Sequence, residues 1–483
     1  MCGRRTENTV GNYKKIMIKQ YIGDKKFYRT VLAIAIPIML QNGITNFVSL
    51  LDNIMIGRVG TLEMTGVAIA NQLIFVFNLC IFGALSGAGI FGAQFHGKDD
   101  VDGVRNTLRF KFIICLVLVC VGTAVLYFFG EDLITLYLKG EGAAEDAAAS
   151  LGFGRSYMNI ILITFLPYAI AQAYASTLRE TGETVLPMAA GIVAVLVNLF
   201  FNYVLIYGHF GAPARAVECA AIATAISRFA ELGIVVAATH LKSAKYTFAK
   251  GLFKTLRVPA ELRNQILAKG TPLMINEGLW SGGMAMLNQC YSMRGQSIMA
   301  SINITSTLWN VMSVAFMALG STVGIIIGHR LGAGDVEGAK SDDKKLIAFS
   351  VFSAMIVAGL YALASKFFPL LYNTTDDVRL LAAKFICVGA IFMPFDAFVH
   401  ASYFTLRAGG KTFITFLFDS VFIWVVSVPV VYVLSRFTPI PIVWLYACCQ
   451  ALQLIKCVIG FILVKKGVWI NNIVADEEKT LAE

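Results

Sequence analysis

Charged side chains are scarce in this chain: 14% of 483 residues, against roughly 25% in a soluble domain. With 57% hydrophobic residues, that shortage argues against a soluble chain of this length, which would divide into about three domains. Histidine is scarcer still, with five in the whole chain and none at metal-ligand spacing. The ten cysteines form no C-x-x-C pair, and most lie inside apolar runs (Cys80, Cys115, Cys120, Cys387, Cys457). Buried free thiols are therefore expected, rather than a metal centre or a disulfide framework. Nothing calls for a cofactor. A cleaved signal peptide is also missing: the N-terminus carries many charges, and the apolar run after it is long enough to span and lacks a small-residue cleavage site. The net charge of +10 is spread over short loops rather than gathered on one folded surface, which argues against nucleic acid as a partner.

What the chain has in quantity is apolar runs of about 20 residues or more, the length needed to cross a bilayer. They fall near 29–54, 64–94, 107–129, 151–178, 184–207 and 216–240, then 263–290, 299–330, 345–368, 379–406, 411–435 and 441–465. The second set repeats the first at an offset of 235 residues. Ala35-Ile-Pro-Ile-Met-Leu-Gln-Asn-Gly43 answers to Gly270-Thr-Pro-Leu-Met-Ile-Asn-Glu-Gly278, and Gly97-Lys-Asp-Asp-Val-Asp-Gly103 answers to Gly332-Ala-Gly-Asp-Val-Glu-Gly338. Further on the register shifts by a few residues, yet Thr177-Leu-Arg still meets Thr405-Leu-Arg. The expected fold is an all-α membrane protein of twelve transmembrane helices in two six-helix lobes. Six helices per repeat give both halves the same topology, so the pseudo-two-fold axis should run along the membrane normal, an arrangement many transporters use.

Lysine and arginine set the orientation. Residues 1–29 hold eight of them, and Lys242, Lys245, Lys250, Lys254, Arg257 and Arg263 crowd the stretch between the sixth and seventh runs. By the positive-inside rule both termini and this linker are cytoplasmic. The expected organisation is a cytoplasmic segment 1–28, an N-lobe 29–240, a linker 241–262, a C-lobe 263–466 and a cytoplasmic tail 467–483, in an inner (plasma) membrane protein expected to be a monomer.

Polar residues inside the runs are where function is sought, since each costs about 2.5–3.5 kcal/mol at a helix centre on insertion scales. Glu231 has Arg228 three residues before it on one helical face, and Asp419 has Lys456 in the next helix; both read as structural ion pairs. Glu277 lies five residues after Pro272, among Asn276, Trp280, Asn288, Gln289 and Tyr291. Asp396 lies two residues after Pro394. A proline frees a carbonyl beside each acid, which suits a cation site; each could equally accept hydrogen bonds from a neighbouring helix. In the first half, Asp52 precedes Asn198 and Asn202, which share a face at i, i+4. A carboxylate with two amide oxygens suits a proton or sodium ion, and interhelical bonding by the two asparagines is the alternative.

From about Thr30 to Lys466 the chain resembles the multidrug and toxic compound extrusion (MATE) transporters. The resemblance rests on Leu51-Asp-Asn-Ile-Met-Ile-Gly-Arg-Val-Gly60, Leu178-Arg-x-x-Gly182, Asn198-x-x-x-Asn202, Ile206-Tyr-Gly208, and Asp396 eleven residues before Arg407. It implies two lobes forming a V-shaped cavity that opens alternately to each side, exporting bulky organic cations in exchange for sodium ions or protons. Asp52 matches the family's helix-1 acid, Asn198 its helix-5 asparagine and Asp396 its helix-10 acid. The chain departs at Asn202, where some members carry aspartate. It departs again at Trp280, where many place the helix-7 glutamate, Glu277 coming one turn earlier. Glu218 interrupts a stretch that is glycine-rich in other members. Asp396 and Glu277 are the candidates to hold a sodium ion.

Two rival functions fit the sequence less well. A flippase for lipid-linked sugars should offer arginine or lysine to pyrophosphate, whereas the first, second, seventh and eighth runs carry acids and almost no buried cations. A membrane-embedded enzyme needs catalytic groups on substantial loops, and the external loops are short. The favoured substrates are lipophilic cations, which would meet Trp280, Trp309 and Tyr291 by attraction to aromatic faces, with methionines adapting to varied shapes.

Overall fold

The computed structural model describes residues 20–57, 60–138, 144–206 and 216–475, without the side chains of 48–57, 144, 206, 216 and 296. Among these residues it is helical throughout, with no strand. The spanning helices are α1 (Lys25–Gly57), α2 (Thr61–Gly97), α3 (Val101–Leu138), the broken α4 (Ala144–Leu162 and Phe165–Glu180), α5 (Val185–Ile206) and α6 (Ala216–Leu241). They continue with α7 (Ala260–Ser292), α8 (Gln296–Gly332), α9 (Val336–Ala364), α10 (Asp376–Ala408), α11 (Thr412–Phe437) and α12 (Ile442–Lys465). Every apolar run predicted from the sequence falls on one of them. By length and composition, ten can cross a membrane, or eleven if the two pieces of α4 count as one span.

The departures from regularity have local causes. α4 bends by 51° between its pieces, where Pro167 cannot donate to the Ile163 carbonyl and its ring crowds that oxygen. Thr164 at the break donates its hydroxyl to the Ile161 carbonyl at 2.6 Å. α11 loosens into π turns over Leu417–Val421 and Ile423–Ser427, next to Pro429, which has no N–H for the Val425 carbonyl. α7 is as long as its neighbours yet too polar to qualify as a span on hydropathy. Its asparagines and glutamate need protein or water around them, not lipid.

The chain forms two compact units; three of the four divisions between them fall inside α1, α2 and α7, and the fourth in the turn between α2 and α3. One unit comprises residues 40–92 and 100–278. In it the first half of α7 lies against α2 so closely that a side chain on Gly87 would collide with Gly270, and one on Gly83 with Met274, the small-residue contact typical of membrane helices. The segment after α6 is tied to the start of α3. Arg109 donates to the carbonyls of Leu252 (2.9 Å) and Gly251 (2.8 Å), and Arg105 to that of Phe248 (3.2 Å). Gly251 turns there at φ +72°, a conformation that glycine adopts without strain. Lys245 of this segment bonds Glu183, which holds its ammonium above the usual lysine range.

The other unit comprises residues 1–39, 93–99 and 279–483. Here the first half of α1 packs Val31 and Ala35 against Leu319, Val323 and Ile327 of α8. The end of α2 crosses the end of α8, where side chains on Gly97 and Gly332 would strike the carbonyls of His329 and Gln94. The 235-residue offset maps Gly97 onto Gly332 and Gln94 onto His329, so the sequence repeat reappears as a reciprocal pair of contacts. After α12 the chain folds back. Gln94 donates to the carbonyls of Ala408 (2.8 Å) and Asn471 (3.2 Å) and accepts from the Ile473 N–H (2.9 Å), while Trp469 is buried in the core. The second half of α7 is fixed to α11 by Trp424, donating to the Leu279 carbonyl at 2.8 Å, and by Ser435, donating to that of Cys290 at 2.6 Å.

Candidate functional site

Within the first unit the helices line a partly open cavity of about 500 Å³, in the size range of small-molecule sites. Helical spacing explains its walls. Asn71, Gln72, Phe75 and Asn78 share one face of α2; Tyr157, Ile161, Thr164, Phe165 and Tyr168 line the bent α4; Ala220, Thr224 and Arg228 rise along α6. Asn202 of α5 completes the wall and donates to Asn198 Oδ1 at 3.1 Å, and Asn198 donates to Thr224 Oγ1 at 3.2 Å. The two asparagines expected to act together are therefore joined, in a chain that reaches α6. Arg228 is bound to Glu231 at 3.0 Å, the pair expected from the sequence, and lies 4.8 Å over the Tyr168 ring. Arg179, bonded to Gln41 at 3.0 Å, also lies within electrostatic range of Glu231.

A second polar cluster sits in the other unit. Lys456 of α12 is buried and donates to Asp419 of α11 at 3.0 Å, again an expected pair. Its ammonium lies 5.4 Å from the centre of the Phe422 ring and within electrostatic range of Asp396 on α10. Lys456 is thus hydrogen-bonded to one carboxylate and reaches the other through space.

The remaining sequence candidates are distributed as follows. Asn276 (1% exposed) and the half-buried Glu277 group with the first unit, while Trp280, Asn288 and Gln289 are exposed residues of the second. Glu277 and Asp396 therefore belong to different units. Tyr291, 5% exposed, packs against Tyr446 with Phe385 in the same core. Trp309 makes edge contacts with Phe316 and Tyr361. The Asp52 side chain lies outside the described residues. Glu218 opens α6, where a carboxylate complements the positive end of the helix dipole.

Lys111, inside the third apolar run, is a functional-site neighbour that sequence reasoning did not single out. It is fully buried on α3 and bonds both carboxylate oxygens of Glu180 (2.6 and 2.7 Å) together with Thr177 (2.9 Å) and Ser176 (3.0 Å). The repeat-related Thr405 donates to the buried Asp343 at 2.6 Å. Both halves thus use this threonine to hold a buried ionisable side chain, a lysine in one and an aspartate in the other. The Thr-Leu-Arg correspondence was the available signal.

These features agree with comparisons to known proteins. The MatE family model matches residues 37–204 and 272–433. A probable multidrug resistance protein NorM of Thermotoga maritima is 24% identical over 461 residues, covering 93% of this chain and 95% of its own. The multidrug resistance protein PmpM of Pseudomonas aeruginosa is 25% identical over 409 residues, 84% of each chain. Among solved structures, a MOP superfamily transporter of Pyrococcus furiosus superposes with a TM-score of 0.82 at 16% identity, covering 93% of this chain and 97% of that one. The Vibrio cholerae MATE transporter VcmN does so with a TM-score of 0.82 at 17% identity, covering 92% and 98%. With a family match across both repeats and the same fold over nearly its whole length, the chain is an integral membrane protein that belongs to the MatE family of multidrug and toxic compound extrusion transporters.

Proposed function

We propose that the protein is a secondary antiporter that exports drug-sized lipophilic molecules, cationic ones among them, in exchange for sodium ions or protons. The observation that carries this reading is a drug-sized, partly open cavity between spanning helices, walled by amides, hydroxyls and aromatic rings. The multidrug resistance proteins similar to this chain support it. Substrate is held by polar groups that fix orientation and by apolar and aromatic faces that tolerate different shapes. Asn276, Trp280, Asn288, Gln289 and Tyr291 on α7 and Trp309 on α8 are kept as further candidate substrate contacts. No bond of the substrate is made or broken.

Coupling is assigned to Asp396, which lies within electrostatic range of the Lys456–Asp419 pair. A sodium ion or proton arriving there neutralises that carboxylate. The ion biases the protein between its two access states to the extent that its affinity differs between them. One charge crossing about 100 mV supplies roughly 2.3 kcal/mol. Asp52, Asn198 and Asn202 form a second candidate cation site, and Glu277 a further acid on the substrate path. The protein is placed as a monomer in the plasma membrane with both termini cytoplasmic, acting on small molecules and the bilayer and not on nucleic acid.

The test is efflux of ethidium in inverted vesicles with sodium and proton gradients imposed separately. Asp396→Asn should abolish gradient-driven efflux while folded protein remains in the membrane. Normal transport by this variant under both gradients removes the coupling assignment.

A further inference from the structure

The polar cluster of the other unit holds a cation beside the acid to which coupling is assigned. Lys456 is 3% exposed, and an ammonium kept from water inside a spanning segment needs a physical reason to be there. Packing fixes its level. Cys457, the next residue, donates its thiol to the carbonyl of Phe395 at 3.5 Å, and Phe395 directly precedes Asp396. One turn further on, a Cβ on Gly460 of α12 would stand 3.3 Å from Ser402 of α10 and 3.4 Å from the Phe418 ring of α11. The ammonium therefore sits where α10, α11 and α12 meet. It donates to Asp419 at 3.0 Å and lies 5.4 Å and 5.9 Å from the centres of the Phe422 and Phe418 rings. Phe418 and Asp419 belong to a π turn of α11, an irregularity frequent at functional sites. Of the pair, the ammonium is the member within electrostatic range of Asp396. A lysine head is a point charge on a flexible four-carbon stem, and the ring faces attract it without tying it to one oxygen. It can lean from Asp419 towards Asp396. Other ionisable side chains near this spot are His400 and Arg407 of α10 and Tyr446, Cys449 and Cys457 of α12; the tyrosine and thiols are of types ordinarily neutral near pH 7.

We propose that Lys456 is a resident counter-cation that competes with the incoming sodium ion or proton for Asp396, passing between Asp419 and Asp396 as the ion arrives and leaves. This rests on the reading that Asp396 is the coupling acid. With the ion bound, Asp419 holds the ammonium. As the ion departs, the ammonium leans to Asp396 and covers the charge that departure uncovers, so neither acid stands without a counter-ion among apolar helices. Release becomes easier than Asp396 alone would allow, and ion affinity is correspondingly lower.

The test is ethidium efflux by purified full-length protein in liposomes, reading for each variant the half-saturating concentration of the driving cation, sodium or proton. Lys456→Met combined with Asp419→Asn removes both members of the pair and leaves neither charge unpaired. It should lower the half-saturating concentration about ten-fold and lower the maximal rate as well, because the ion leaves more slowly. Asp419→Asn alone frees the ammonium for Asp396 and should raise that concentration about three-fold or more. Lys456→Arg keeps the charge and should stay within about two-fold of wild type. A packing role alone would change the amount of folded protein without moving the half-saturating concentration in opposite directions. If the double variant and Asp419→Asn both keep the wild-type value, or both move it the same way, Lys456 only holds the helices together and the proposal is overturned. Should the double variant fail to accumulate, Asp419→Asn decides alone, and an unchanged or lower value overturns the proposal. If Asp396→Asn keeps the wild-type ion dependence, Asp396 is not the coupling acid, and the underlying reading fails first and takes the proposal with it.

Discussion

Replacing Lys111 by methionine removes the most enclosed cation of the first unit. Its ammonium is fully buried and makes four contacts of 2.6–3.0 Å, two of them to the Glu180 carboxylate. Methionine fills a similar volume, so the cost comes from the acid left behind. Breaking a buried pair by removing one partner costs about 3–5 kcal/mol, because the surviving charge has lost both water and counter-ion. Glu180 cannot swing away. It is pressed against Gly89 and Gly92 of α2, where an added Cβ would stand 2.6 Å from one carboxylate oxygen at Gly89 and collide with the other at Gly92. Lys111→Met should therefore lower the unfolding midpoint markedly, and adding Glu180→Gln should recover a coupling of about 0.5–3 kcal/mol or more. Thermal melts with a thiol-reactive fluorophore are suited to the assay, since Cys115 and Cys219 are buried free thiols. If Lys111→Met melts with wild type, or the double variant loses the sum of the two single losses, the pair is not coupled as argued.

Other expectations follow from single contacts. Gln94→Leu strands the Ile473 N–H and the carbonyls of Ala408 and Asn471, at about 1–3 kcal/mol per buried group. Trypsin should then cut after Lys465 or Lys466 faster than in wild type, and unchanged cleavage would count against the clasp. Gly332→Ala drives a methyl into the Gln94 carbonyl, whereas Gly359→Ala meets nothing within 4 Å. The first should depress the melting midpoint, while the second should leave it or raise it slightly through helix propensity. Cysteine placed at the exposed Lys250 should resist an impermeant maleimide applied to intact cells, and robust labelling there would reverse the assigned topology.

The helices were legible because a bilayer permits few solutions. A run of twenty apolar residues must pair its backbone internally, so length and hydropathy nearly determine the element. α7 tests that rule. Its proline, asparagines and glutamate place it below the hydropathy of a span, yet it reads as an apolar run over 263–290, and its match to α1 at the 235-residue offset agrees with that placement. Two ion pairs were legible for a related reason: a charge in an apolar run needs a partner, and Arg228 with Glu231 and Lys456 with Asp419 were the nearest of opposite sign.

The cavity was not legible, and Arg228 shows why. The charge inventory covered the first, second, seventh and eighth runs, whereas the cavity is walled by α2, α4, α5 and α6. Which faces converge depends on the bend at Thr164 and on how α6 is rotated, and neither is a property of one helix's pattern. Arg228 and Glu231 occupy the same face under any rotation, so their pairing could be read from sequence. Whether the rest of the guanidinium then points to lipid, to another helix or into a cavity is decided by tertiary packing. A similar ambiguity hid Lys111: near the end of an apolar run a lysine can snorkel to the membrane surface, and only the approach of Thr177 and Glu180 from α4 turns it inward. Polar residues that share a helix with their partner are readable by spacing. Those satisfied across helices, as Lys111 is by Glu180, become readable only once the packing is known.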